Sequence, residues 1–149
     1  MEGTHATRDN LGFLLAKAAQ RWNELLAERF AAEGYAEVRP SYGSLLVPLF
    51  EEDGLRMSEL AARARLTKQT MTTMVRLLER DGLVRREADP ADGRATRVYL
   101  TARSRAFRPV AERVLRDLDR AVRVSLSTAD VDRLTAMLKG VMSLCSPAR

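Results

Sequence analysis

One cysteine, Cys145, and one histidine, His5, are all that 149 residues supply. A structural zinc site needs about four Cys or His ligands, so the chain alone cannot build one. An intramolecular disulfide is excluded too. A Ser/His/Asp or Cys/His set would have to recruit His5 from the N-terminal tail, and no Gly-rich phosphate loop occurs. Glu51, Glu52 and Asp53 read as a surface cluster at a turn, not as an acid/base pair. Neither catalysis, a metal nor a cofactor is expected. Long apolar runs are also missing: no segment approaches the ~18 residues that a membrane-spanning helix requires. The opening MEGTHATRDN lacks the apolar core of a signal peptide, so a cytoplasmic location is expected. Aromatic residues make up only 5%.

What the chain does contain is Ala, Leu and Arg, a mixture that favours helices. Hydrophobic content of 46% and charged content of 30% suit a soluble globular domain. The net charge is +5, unevenly spread. Arg56 to Arg108 holds 13 Lys/Arg against 6 Asp/Glu, or +7, leaving −2 for the remainder. A basic central third flanked by segments with another task is the electrostatic pattern of a polyanion-binding module.

Hydrophobic spacing divides the chain into elements. Leu11, Leu14, Leu15, Ala18, Trp22, Leu25, Leu26 and Phe30 repeat at helical intervals, predicting a helix over 10–32 with Gly34 as its stop. Pro40 suits the first turn of a second helix, to about Glu52, in which Pro48 predicts a kink or an early end. A short third helix spans Ser58 to Ala64. Arg65-Leu66-Thr67 then turns the chain, and Thr67 caps a fourth helix to Arg80. Met71, Met74, Val75 and Leu78 face its core, while Lys68, Gln69, Thr70, Thr72, Thr73 and Arg76 face out. Strands at 83–88 and 96–100 enclose the turn dipeptides Asp89-Pro90 and Asp92-Gly93. Thr101 caps a fifth helix to Val124, carrying Pro109, and Ser127 to Asp130 opens a sixth with apolar positions through to Cys145.

A helix whose outward face is hydroxyl, amide and positive charge, followed by a basic hairpin, is the geometry of a winged helix-turn-helix. The helix enters a DNA major groove and the hairpin reaches the adjacent minor groove. The fold class expected is mainly α with a small β-hairpin wing. Residues 37–101 form the winged domain, 10–36 and 102–145 a helical dimerisation region, and 1–9 a flexible tail. The apolar stripes of the first, fifth and sixth helices exceed what a small winged domain can cover. Two copies packed about a two-fold axis would bury them; a monomeric helical bundle is the alternative.

This order resembles the MarR family of bacterial transcription regulators across most of the chain. The most specific stretch is Asp92-Gly93-Arg94-Ala95-Thr96-Arg97-Val98-Tyr99-Leu100-Thr101, which is similar to the family's wing pattern. Ser58-Glu59-Leu60-Ala61 with Leu66 to Thr72 resembles its helix-turn-helix. The resemblance implies a homodimer that reads a pseudo-palindromic operator in double-stranded DNA, usually as a repressor. It also implies release by a small effector, often aromatic or phenolic, bound between the dimerisation helices and the winged domain. Arg94 is then the wing residue that enters the minor groove, and Asp92 orients it. Thr67 to Thr73 supply the recognition positions.

Within that frame, Gln69 suits a bidentate pair with adenine, while Thr70, Thr72 and Thr73 offer hydroxyls to bases or methyls to thymine. Lys68, Arg76, Arg85, Arg86 and Arg97 suit phosphates, which position without specifying. Trp22, Tyr35, Tyr42 and Phe50 are candidates to line an effector cavity, or are ordinary core. Cys145 is either an oxidant-sensitive thiol or an inert one. Departures from the family pattern are Thr73 and Leu77 where a basic residue is common, and Arg76 where an acid is frequent. Arg65 stands at a turn position that often holds glycine, and Arg39 and Arg56 where capping threonines are common. A winged-helix module that binds protein, without specific operator binding, is the competing reading.

Overall fold

The computed structural model describes residues 7–144; His5, Cys145 and most of the expected tail lie outside that range. The chain divides into two compact units, Met1–Ala111 and Glu112–Arg149.

The first unit opens with α1 (Leu11–Ala32), started by Asn10, whose Oδ1 accepts from Gly12 N at 3.0 Å and Phe13 N at 3.4 Å. Where a single helix from Pro40 was expected, a 3-10 turn (Pro40–Tyr42) precedes α2 (Gly43–Glu51). Arg39, which stands before it, makes no side-chain cap. The helix runs through Pro48, which falls in its last turn and costs one backbone bond. After it comes a strand that the hydrophobic pattern did not announce, β1 (Leu55–Arg56), too short to show a period of two.

The helix-turn-helix consists of α3 (Met57–Ala64) and α4 (Lys68–Arg80). Both helices end in the same motif. After α4, Gly82 sits at φ 75°, and Leu83 N reaches Leu78 O at 2.9 Å. After α3 the left-handed residue is Arg65, at φ 55°, while Leu66 N reaches Ala61 O at 3.1 Å. An arginine there costs ~1 kcal/mol that glycine would not. At the other end of α3, Glu59 Oε1 accepts from Arg56 N at 3.2 Å. Arginine has no acceptor with which to return the bond, so this capping box is half made.

Strands β2 (Val84–Ala88) and β3 (Thr96–Leu100) form the hairpin, and the antiparallel sheet has the order β1-β3-β2. Val98, at the centre, pairs with Leu55 on one side and Arg86 on the other. Its side chain is buried with Leu45, Leu60, Met71, Val75, Leu78 and Leu83, so the core lies between the helix-turn-helix and the root of the hairpin. Helix α5 (Ala102–Leu126) starts on a reciprocal pair: Ser104 Oγ accepts from Thr101 N at 3.0 Å, and Thr101 Oγ1 from Ser104 N at 3.3 Å. Thr101 Oγ1 also donates to Gly82 O at 2.7 Å, joining the end of α4 to the start of α5.

The second unit holds the rest of α5 and α6 (Thr128–Met142). Ser127 caps α6 through Asp130 N at 3.2 Å, and Arg123 bridges Asp119 at 2.8 Å and Asp132 at 3.0 Å. Val114, Leu118 and Val131 are buried, yet Leu115, Leu126, Leu134, Met137 and Val141 stay exposed. Among the described residues, no helix is long and apolar enough to cross a membrane.

Among the described glycines, Gly54 has the least room for a side chain. It sits at φ 71°, and a Cβ there would lie 2.7 Å from Tyr99 Cε1. Gly54→Ala is expected to lower stability by ~1–3 kcal/mol, from backbone strain and displacement of the ring. Chemical denaturation of the two proteins measures it.

Candidate nucleic-acid interface

The outward face of α4 is a short polar row. Thr67, its N-cap, accepts from Thr70 N at 3.2 Å. Lys68, Gln69, Thr70, Thr73 and Arg76 are exposed and Thr72 is half-buried, while Met71, Val75 and Leu78 are buried. Met74, expected inside, is only half-buried. The hydroxyls of Thr72 and Thr73 donate back along the helix, to Lys68 O at 2.9 Å and Gln69 O at 3.1 Å. Their hydrogens are therefore used, and a base would meet an oxygen lone pair and a methyl.

The wing tip is built by aspartates. Asp92 Oδ1 accepts from Arg94 N at 3.1 Å and lies 3.5 Å from Arg94 Nε. This is an Asx turn, a local bond that shapes a loop without any core. The Arg94 side chain is 95% exposed. Facing it across a cleft of about 550 Å³ are Arg56, Lys68, Met71 and Thr72. Permanent positive charge at the tip and along α4 thus borders one concave face.

Other arginines of the basic third make ion pairs within the protein while keeping part of their side chains in solvent. Arg86 forms a two-pronged pair with Glu79, at 3.0 and 3.1 Å, joining β2 to the last turn of α4. That hydrogen bond holds the Glu79 carboxyl below the usual carboxylate range. Arg97 lies 3.1 Å from Asp89 and donates to Gly54 O at 2.7 Å. Arg85 pairs with Glu87 and rests over the Tyr99 ring, 4.6 Å from its centroid. Arg56 donates to Asp89 at 2.6 Å. The roles of Asp89 and Arg56 escaped the sequence, where Asp89-Pro90 shows only a turn; partners 33 residues apart leave no local signal.

The four aromatic candidates do not share one cavity. Tyr35 is buried beside Phe107, ring centroids 5.1 Å apart, with the Arg103 guanidinium 4.0 Å from its own centroid. Tyr42 is buried and donates its hydroxyl to Asp81 Oδ2 at 2.6 Å. Trp22 is half-buried on α1. Phe50 lines a cavity of about 310 Å³ with Leu49, Asp53, Leu100, Arg105 and Arg108.

A helix-turn-helix with its outer helix beside a basic wing defines a winged helix-turn-helix regulator by shape. Comparison with known proteins gives the lineage. A sequence profile described as MarR family matches residues 40–96. An HTH-type transcriptional repressor of Mycobacterium tuberculosis is 38% identical over 91 residues, which are 61% of this chain and 66% of that protein's length. The crystal structure of a probable transcriptional regulator from Pseudomonas aeruginosa is 28% identical, with a TM-score of 0.76, and the match covers 89% of this chain and 97% of that one. The transcriptional repressor CouR, in a structure bound to a 23-mer DNA duplex, is 26% identical with a TM-score of 0.76, and the match covers 95% and 99%. Over residues 40–96 the chain carries a MarR-family domain. The relatives it matches are named as transcriptional regulators.

Tyr42 supports this face from behind, because its partner Asp81 closes α4. Hydrogen bonds from Arg80 and Tyr42 hold the Asp81 carboxyl below the ordinary aspartate value of 3.8. Its folded pKa is depressed, so its contribution is complete above that value and is lost as pH falls through the folded one. Tyr42→Phe is expected to cost ~1–3 kcal/mol at neutral pH. The deficit should shrink in acid, as denaturation at neutral pH and near pH 3 would read.

Proposed function

We propose that this chain is a homodimeric repressor that binds a pseudo-palindromic operator in double-stranded DNA. The observation that carries the reading is the pairing of two exposed features on one face: the polar row of α4 and the Arg94 side chain at the wing tip. A guanidinium on a thin loop suits a narrow minor groove, whose negative potential attracts it. The α4 row suits the neighbouring major groove, with Gln69 toward adenine and the methyls of Thr72 and Thr73 toward thymine. Thr67 and Thr70 hold the helix start that faces the bases. Lys68, Arg76 and Arg85 take phosphates, and Asp92 holds Arg94 in place. Arg86 and Arg97, bonded to Glu79, Asp89 and Gly54, serve chiefly as the frame that fixes helix against wing.

Repression is supported by the name of the mycobacterial relative and of CouR, and DNA binding by the duplex in the CouR structure. Dimerisation is supported by apolar side chains left in solvent on the terminal helices: Leu11 and Leu14 on α1, and Leu134, Met137 and Val141 on α6. Exposed apolar stripes on a helix mark candidate interfaces. The regulator works in the cytoplasm and responds to a small effector. The cavity beside Phe50 is a place for it, with Trp22, Tyr35 and Tyr42 serving as framework.

Selection from random duplexes would yield the operator, and loss of specific binding by every duplex would instead favour a protein-binding module. With the operator in hand, Arg94→Ala is expected to weaken binding by ~1–3 kcal/mol, read by fluorescence anisotropy. Met137→Glu, at a position 61% exposed, should leave helicity intact and shift the mass in light scattering from dimer to monomer.

A further inference from the structure

Arg56 and Arg97 stand directly opposite each other in the β1–β3 pairing. Like charges in that relation repel. The fold nonetheless places both at the root of the wing, and a single carboxylate lies between them. Asp89 Oδ2 accepts from Arg56 Nε at 2.6 Å and lies 3.1 Å from Arg97 Nε. Its other oxygen accepts from Ala91 N at 2.9 Å. The Asp89 side chain is only 1% exposed. A carboxylate that deep is tolerated only when its partners are all in place, so its geometry is narrowly set.

We propose that Asp89 is a positioning residue for DNA binding, which aims the wing and thereby presents Arg94 to the minor groove. The inference rests on the DNA-binding reading above. Three links connect Asp89 to the tip. Asp89 N donates to Ala95 O at 2.9 Å, closing the loop at its base. Ala95 N donates to Asp92 O at 2.9 Å, and Asp92 holds Arg94 N. In the other direction, Arg97 grips Gly54 O beside β1, and Arg56 N bonds Glu59 at the start of α3. The loop is thereby tied to the helix-turn-helix and not to its own hairpin alone. A long, exposed arginine on a free loop would have to be ordered at every binding event, and a fixed root removes part of that cost.

Asp89→Asn keeps the shape and removes the charge. It is expected to weaken operator binding about three- to tenfold while the far-UV circular dichroism is unchanged. Combined with Arg94→Ala, it should add little further loss, because both act through one contact. Hydroxyl-radical protection should fade in the minor groove under the wing and persist on the strands flanking α4. Wild-type affinity in Asp89→Asn, full additivity with Arg94→Ala, or equal loss of protection throughout would each overturn the proposal. Hydrogen exchange in the free protein tests the lock without DNA. Amides of residues 91–97 should exchange faster in Asp89→Asn, and unchanged exchange also overturns it. Should the wild-type protein bind no duplex specifically, the DNA-binding reading and the proposed role of Asp89 both fail, whereas the exchange data still judge the lock. If Asp89→Asn does not fold, Arg56→Gln removes one of the two cations and is read in the same ways.

Discussion

A recognition helix and a wing are useful only at a fixed separation, and β3 is the element that sets it. This strand is the only one of the three with neighbours on both sides. One neighbour leads into α3, the other leaves α4, and β3 itself runs into α5. Val98 seals the middle of this crossing with no exposure to solvent. Around it, polar ties take over where the core ends: Glu79 with Arg86 between α4 and β2, and Arg97 with Gly54 between β3 and the segment before β1. Each tie crosses from one element to another, so rotation of the hairpin would break several at once.

The charge of the central third consequently performs two tasks. Exposed cations such as Lys68, Arg76 and Arg94 remain directed at solvent, where they can meet a polyanion. Others, Arg56, Arg86 and Arg97 among them, are matched by Asp89 or Glu79 and hold the scaffold. Net charge cannot separate the two groups, because paired and unpaired arginines count alike. A partly buried pair resists salt, while exposed cations are screened within ~8–10 Å at ordinary ionic strength. The rigidity of the wing should therefore outlast its long-range attraction as salt rises.

Most of the helical architecture was legible because periodic apolar residues and caps are local signals. Thr67, Thr101 and Ser127 each sit where a hydroxyl can cap, and each does. Gly82 ends α4 as its type suggests, and Arg65 adopts the left-handed conformation that its place in the turn foreshadows. Less visible were features fixed by distant partners. Two residues of β1 carry no pattern until Val98 and Arg97 arrive beside them. Tyr42 was readable as cavity lining or as ordinary core; it is core, and the bond to Asp81, 39 residues on, had no local signal. The wing motif revealed Arg94 and Asp92, yet the carboxylate beneath them was hidden inside an ordinary turn dipeptide.

The same small sheet also solves a problem of solubility. Open strand edges invite other chains to dock and extend them, a first step toward aggregation. Here one margin is the two-residue β1, which passes at once into a helix. The opposite margin is β2, where Arg85, Arg86 and Glu87 stand in a row in solvent. A foreign strand would find too little backbone on one side and a row of charged side chains on the other. The protein can thus hold a naked β-ribbon out into a crowded cell without seeding fibres.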